Sequence, residues 1–307
     1  EKKNKAKPTE LKSEFLLVCN GLRKDLTHPN EYIRGRTLRL ISKLPYHDLY
    51  ESVRSVIFDN LSHKHAYVRK NALACISVTI DQFGVDSLPD DMPDKLKDLI
   101  EKDSDFTVRR NAYLTLAKID PEESLKITKD ILIQAESSDA ELGDLFIQAI
   151  VKNLKSIAKH SNLSDKAKIL KILVELLQHK SNTVLFEIAY ALLEISGNTL
   201  IIKSSVSVLS NLLIDINDNN TLMIIISKLN SLKYKYKGVL EDNVITYTTI
   251  LNKTDLTQNI RNILLDLISE LISENNINRV FHLLKQQFIS MKTTHDSFFD
   301  FKFKVLE

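Results

Sequence analysis

The 307-residue chain is short of the residues that bend a backbone: it has six glycines and six prolines, and no proline follows Pro121. An all-β domain with frequent tight turns needs more of both, so long helices are expected. Cysteine is equally scarce. Cys19 and Cys75 are too few for a disulfide framework, and both fall on apolar helical stripes, as buried free thiols would. An excess of one charge is also lacking. The 42 basic and 40 acidic side chains leave a formal charge of +2, which provides no overall field for nucleic acid. Only Glu1 to Lys7 is locally basic, and residues 1–9 read as a frayed basic end. No run of about 18 apolar residues occurs to span a bilayer, and no signal-peptide pattern is visible. The sequons at Asn60 and Asn252 read as chance matches in an Asn-rich chain.

Catalytic constellations are missing as well. There is no Gly-rich phosphate loop, no Gly-x-Ser-x-Gly elbow and no His-Glu-x-x-His helix, so neither enzyme nor cofactor is expected. His63-Lys64-His65 holds two imidazoles, but no third ligand follows at metal-binding spacing, and no metal is expected. His28 and His179 occupy the same place as His63 relative to the helix that follows each. That recurrence argues for a structural role in a turn. Acidic pairs such as Asp90-Asp91 and Glu122-Glu123 lie in a loop or at a helix start, where capping and solvation account for them.

What is present is helical periodicity in a chain about 43% hydrophobic and 27% charged, a globular composition. Leu11, Phe15, Val18 and Leu22 recur at steps of four, three and four. Val68, Ala72, Cys75, Thr79 and Phe83 follow the same spacing, as do Leu142, Phe146, Ala149, Asn153 and Ile157. Ile202, Val206, Leu209, Leu213 and Ile216 repeat it again. This spacing marks one face of a helix, not the alternation of a strand. Asp120-Pro121-Glu122-Glu123 supplies an N-cap acceptor, a proline where a missing N–H costs nothing, and acids at the positive end of the dipole.

The helices come in pairs, and the second of each pair opens alike: Glu31-Tyr32-Ile33-Arg34, Ala66-Tyr67-Val68-Arg69, Phe106-Thr107-Val108-Arg109. Weaker copies are placed with anchors at Leu142, Val184, Thr221 and Gln258. Anchors spaced by roughly 34 to 42 residues, two helices to a unit, define a HEAT/armadillo-type period. The expected fold is an all-α, right-handed α-solenoid of about seven or eight helix pairs, a single body over residues 1–307 with residues 289–307 a truncated last repeat. Arg34, Arg69 and Arg109 are expected to form a ladder of hydrogen bonds across repeats. Tyr32, Tyr67 and Phe106 are expected to pack between repeats or to serve as interface anchors.

The run His28-Pro29-Asn30-Glu31-Tyr32-Ile33-Arg34-Gly35-Arg36-Thr37-Leu38-Arg39 resembles the HPNE(F/Y)IRGxTLR segment of coatomer β subunits, in the adaptin-like large-chain family. Leu17-Val18-Cys19 through Leu26 is similar to the LVCxxxRKDL that precedes it there, and His63 through Ala72 to its H(R/K)HxYVR(R/K)NA segment. Arg109 through Tyr113 is similar to KRNAF, and Asp218-Asn219-Asn220 to SDNN. Residues 139–182 match only in helix pattern.

The resemblance implies a non-catalytic N-terminal trunk fragment of a COPI vesicle-coat subunit, without its flanks. It implies a cytoplasmic protein, peripheral on Golgi membranes and COPI-coated vesicles, acting in Golgi-to-ER and intra-Golgi transport. The implied partners are the δ, γ and ζ chains of coatomer and a GTP-bound Arf-family GTPase, which recruits the coat to membranes. The membrane contact is then indirect, and nucleic acid is not a partner. The candidate GTPase-binding residues are Tyr32, Arg36, Tyr67 and Lys70, near the start of the second helices of the first two repeats. Competing readings are the large-chain trunk of a clathrin adaptor complex and a generic HEAT-repeat transport scaffold.

Overall fold

The computed structural model describes residues 15–138, 143–251, 253 and 256–290. Among them every regular element is helical. The frayed-end assignment for residues 1–9, Leu11, the anchor Leu142, the sequon Asn252 and the tail from residue 291 lie outside the described residues.

The helices follow one another as pairs. The first three are α1 (Phe15–Leu26) with α2 (Glu31–Ile41), α3 (His47–Asp59) with α4 (Ala66–Phe83), and α5 (Met92–Lys102) with α6 (Phe106–Ile119). Then come α7 (Pro121–Ser138) with α8 (Asp144–His160), α9 (Leu163–Glu175) with α10 (Asn182–Ile195), and α11 (Thr199–Asp215) with α12 (Asn219–Leu232). In the seventh pair the first helix is broken into α13 (Lys237–Glu241) and α14 (Val244–Ile250), followed by α15 (Gln258–Leu271). The last described element is α16 (Ile277–Ser290). The break falls at Asp242-Asn243. Asn243 leaves the helical region at φ −104° and ψ 4°, and its amide donates to the Val239 carbonyl at 3.2 Å. Asx side chains compete with the helix for backbone groups in this way.

The chain divides into two compact units, residues 1–157 and 158–307. In the first, α2 packs on α4 and α4 on α6, so second helices stack on second helices, while α1 packs on α2 and α3. In the second, α10 packs on α11, α11 on α12 and α14, and α12 on α15. This is repeat stacking, in which each pair buries faces against its neighbours.

Helix starts are capped where the sequence provides acceptors. Asn30 Oδ1 accepts from Tyr32 N–H at 2.8 Å. Asp105 Oδ1 accepts from Thr107 and Val108 N–H at 2.8 and 3.0 Å, and Asp120 Oδ1 from Glu123 N–H at 2.9 Å. Gly84 ends α4 at φ 90°, a conformation costly to any residue with a Cβ.

The stripes of α4 and α11 are buried as spaced: Val68, Ala72, Cys75 and Thr79, then Ile202, Val206, Leu209 and Leu213. In α1 the buried face is Cys19, Leu22 and Leu26, whereas Val18 is exposed. Leu22 and Cys19 are buried as expected, and among the described residues of this helix Val18 alone leaves the expected stripe. Cys75 is buried deeply enough for its thiol to be pushed up to about 12. Asn153, an apolar-stripe position with a polar residue, anchors a buried network. Its amide donates to Tyr113 Oη at 2.8 Å and to Ser124 Oγ at 3.0 Å, and Tyr113 Oη lies 2.7 Å from Thr128 Oγ1. Each member has a partner, so burial here fixes the register of α6, α7 and α8 rather than destabilising it.

Candidate functional site

The turn before each second helix is built from a recurring side chain. His28 Nδ1 accepts from Asn30 N–H at 3.0 Å, His63 Nδ1 from His65 N–H at 3.1 Å, and His179 Nδ1 from Ser181 N–H at 3.1 Å. In the third repeat Asp103 takes this place, its Oδ1 accepting from Asp105 N–H at 2.9 Å. The Nδ1 atom of His63 is thus engaged in closing a turn. Among the described residues no group of three His, Cys, Asp or Glu is arranged to hold a metal ion. The sequon Asn60 is equally committed. It is buried, and its amide donates to the Leu26 and Val56 carbonyls at 3.2 and 2.7 Å.

In the first three repeats an arginine comes six residues after the turn side chain; after His179 that position is Leu185. Arg34 Nε donates to the His28 carbonyl at 2.6 Å, and its Nη1 reaches Asn60 Oδ1 of the next repeat at 3.1 Å. Arg69 Nη1 donates to the His63 and Lys64 carbonyls at 2.7 and 2.9 Å. Its Nε and Nη2 grip Asp103 of the next repeat at 2.6 and 2.7 Å. With the Arg69 and Asp103 side chains only 12% and 3% exposed, this bidentate pair is a charge-assisted bolt between repeats. Arg109 turns back to the Ile100 carbonyl at 2.6 Å. The expected ladder of hydrogen bonds therefore crosses repeats at Arg34 and Arg69. The hydrogen bond of Arg109 stays within its own pair, and its guanidinium meets the next repeat 5.8 Å over the Phe146 ring.

A further turn arginine escapes the sequence reading, one that bonds carbonyls of its own pair as Arg109 does. Arg261 is buried and donates to the Leu251 and Lys253 carbonyls at 3.1 and 2.9 Å. Burial lowers its guanidinium from the usual range. The anchor of that helix is Ile260, which is buried, and not Gln258, which is only half-buried. The dipeptide Ile260-Arg261 repeats Ile33-Arg34 and was the available signal. In α12 the buried anchor is likewise Leu222 rather than Thr221. In α8, Phe146 stands third in the helix, as Val68 does in α4.

Tyr32, Arg36, Tyr67 and Lys70 lie on α2 and α4. Tyr32 is 62% exposed, and its ring centroid is 5.3 Å from that of Tyr67, tilted by 49°. Tyr67 is half-buried because it lies across α2 at Gly35, where any Cβ would overlap its ring. Arg39 Cζ sits 5.6 Å and Lys70 Nζ 5.4 Å from the Tyr67 centroid, both at cation–π distance. Arg39 is held there by Asn71 Oδ1 at 2.7 Å. Arg36 is exposed one turn beyond Tyr32 on the same helix face. The structure thus gathers Tyr32, Tyr67 and Lys70 into one platform with Arg36 at its border, and adds Gly35 and Arg39. Phe106 does not join it. It is the first residue of α6, whereas Tyr32 and Tyr67 are second in theirs, and it packs near its own Arg109 at 5.9 Å.

Stacked helix pairs locked by turn arginines define an adaptin-type α-solenoid, and the chain belongs to the family described as Adaptin N terminal region, whose model matches residues 8–306. A chain in a homology model of the full-length AP-3 complex in an intermediate open conformation has the same fold. It superposes with a TM-score of 0.66 at 17% identity, over 93% of this chain and 50% of that one. Among curated proteins, the chain is 30% identical over 288 residues to coatomer subunit beta of Toxoplasma gondii, covering 91% of this chain and 25% of that protein. It is 32% identical to coatomer subunit beta of Rattus norvegicus over 90% of this chain and 28% of that one. With the Saccharomyces cerevisiae protein the identity is 32%, over 92% and 28%. The chain therefore spans between a quarter and three-tenths of the length of these relatives.

Proposed function

We propose that the chain is a trunk segment of a vesicle-coat subunit of the COPI type, working by protein–protein binding and not by catalysis. The observation that carries this reading is the similarity to coatomer subunit beta over nine-tenths of the chain. The motif residues behind that similarity also have structural work to do. His28 and Asn30 close and cap the turn, Arg34 bridges to the next repeat, and Gly35 admits Tyr67. In this reading the chain joins δ, γ and ζ chains on Golgi membranes and serves retrograde and intra-Golgi transport. It meets the membrane through a GTP-bound Arf-family GTPase.

The GTPase would dock on Tyr32, Arg36, Tyr67 and Lys70. Exposed or half-exposed aromatics held rigid by neighbours cost little conformational entropy on binding, and a cationic border orients the partner. The experiment is a pull-down with the GTP-locked and the GDP-bound GTPase. Arg36→Glu with Lys70→Glu is expected to cut capture of the GTP form by about tenfold, with an unchanged helical circular dichroism spectrum. Undiminished GTP-dependent capture by the folded double variant would remove these residues from the site. Absence of any GTP-dependent capture by the parent would remove the GTPase reading.

A further inference from the structure

The exposed face of the stacked helices α2, α4 and α6 has a charge imbalance that the whole chain lacks. Their ladder arginines, Arg34, Arg69 and Arg109, are consumed in the turns. Arg36, Arg39, Lys70 and Arg110 remain, and none of them forms an ion pair with a carboxylate among the described residues. Apart from Glu31 at the start of α2, the acid these helices carry is Asp81, and Lys118 neutralises it at 2.6 Å. That contact also shows the face to be continuous. Lys118 of α6 reaches Asp81 and the Ser77 carbonyl of α4, and Arg39 of α2 reaches Asn71 of α4. Arg110 lies two turns before Lys118 on the same face of α6 and occupies the position that Lys70 has in α4. It is half-buried, and its buried Nε has no acceptor.

From this charge complementarity we infer that the face formed by α2, α4 and α6 binds an extended, acidic segment of a partner protein, with carboxylates recurring at every third residue. Neighbouring helices pack about 8–10 Å apart, and an extended chain advances about 3.3 Å per residue. A strand crossing the three helices therefore passes one helix about every three residues. Its carboxylates meet the Arg36–Arg39 end of α2, then Lys70, then Arg110. Tyr67 provides a flat apolar floor between the first two, already held by the cations on either side. A membrane or a nucleic acid would also be attracted by positive charge, but neither would be sensitive to a three-residue carboxylate spacing. The inference shares a surface with the GTPase reading but rests on charge and helix spacing alone.

The test is fluorescence anisotropy with the full chain and fluorescein-labelled Gly/Ser peptides carrying three aspartates. In one peptide they stand at every third residue; in the other they are contiguous. The spaced peptide is expected to bind about tenfold more tightly, with affinity falling as salt rises. Arg110→Gln, which is outside the proposed GTPase site, is expected to weaken the spaced peptide severalfold and to leave capture of the GTP form unchanged. Equal affinity for the two peptides, or no loss in a folded Arg110→Gln variant, overturns the inference. Preferential binding of anionic phospholipid vesicles or of single-stranded RNA over the spaced peptide also overturns it. Absence of GTP-dependent capture by the parent chain, with peptide selectivity retained, would strike the GTPase reading alone.

Discussion

The two units are built from the same helix pair but solve two problems differently. Unit one joins repeats with charge: Arg34 reaches Asn60, and Arg69 grips a buried Asp103. Unit two joins repeats through Lys253, which donates to the Leu213 and Ile216 carbonyls at 3.0 and 2.5 Å, and through the more exposed pairs Lys203–Asp242 and Lys233–Glu270. Arg261 holds the Leu251 and Lys253 carbonyls of its own repeat. The exposed faces differ as well. The second helices of unit one leave Arg36, Arg39, Lys70 and Arg110 without matching acids. Those of unit two, α10, α12 and α15, carry exposed Glu187, Glu194, Asp266 and Glu270, of which Glu194 and Glu270 are paired with Lys159 and Lys233. A near-neutral chain thus conceals an unbalanced basic face on unit one, where unit two pairs acids with lysines. The repeat architecture allows this, because residues facing solvent are not constrained by the stacking that conserves the period.

The strongest test of what the units share is to bury a charge at matched anchors. Val68→Asp in α4 and Val184→Asp in α10 each place a carboxylate where the native side chain is 0% exposed. Each is expected to destabilise its unit by about 4 kcal/mol, read as a lower urea midpoint. A midpoint unchanged from the parent in either variant would mean that its helix is turned away from the assigned register. The next test targets what differs. Arg69→Ala leaves Asp103 buried without its cation and is expected to cost about 3 kcal/mol. Arg261→Ala leaves only carbonyls short of a donor and is expected to cost about 1–2 kcal/mol. Adding Asp103→Asn should recover much of the first loss, and failure to do so would deny the pair its role as a bolt.

A smaller effect is expected at the platform. Gly35→Ala drives the Tyr67 ring off α2, at about 1–2 kcal/mol, and Tyr67→Ala should relieve that cost in the double variant. Additive losses would show that the two residues do not share the space. Smaller still is a pH effect confined to unit one. Burial, first, and then the Arg34 charge lower the pKa of His63 from its ordinary 6.5. The unfolded chain therefore takes up the proton first as pH falls. The stability contributed by the neutral imidazole is complete above the unfolded value and is lost as pH falls through the lower, folded one. His63→Asn is expected to flatten the dependence of the urea midpoint on pH over that window. Lys64→Ala, exposed in the same turn, should change stability by less than about 0.5 kcal/mol.

Much of this molecule was legible in one dimension because its determinants are local. Helix stripes, caps such as Asp105 and Asp120, and the pairing period depend on residues within a few positions of each other. The turn histidines were legible for the same reason: His63 bonds a group two residues away. Legibility failed where an adjacent register was chemically plausible. Val18 and Cys19 can both lie on an apolar stripe, and only packing decided that Cys19 is buried and Val18 exposed. Spacing alone points to Gln258 as an anchor, although Ile260 fills the core.

The sequence by itself determined the helices, their number per repeat and the turn chemistry, since hydrophobic spacing and capping act through the chain's own nearest residues. Only the tertiary structure decided which repeats are bolted by charge, that Tyr67 lies on Gly35, and that Arg39, Lys70 and Arg110 share one face. Those contacts join residues some 30 or more positions apart, such as Arg69 and Asp103 or Arg39 and Asn71. Their partners are selected by how far one helix is shifted and rotated against the next. That geometry comes from the interlocking of side-chain ridges over whole helix faces, and no short stretch of the sequence encodes it.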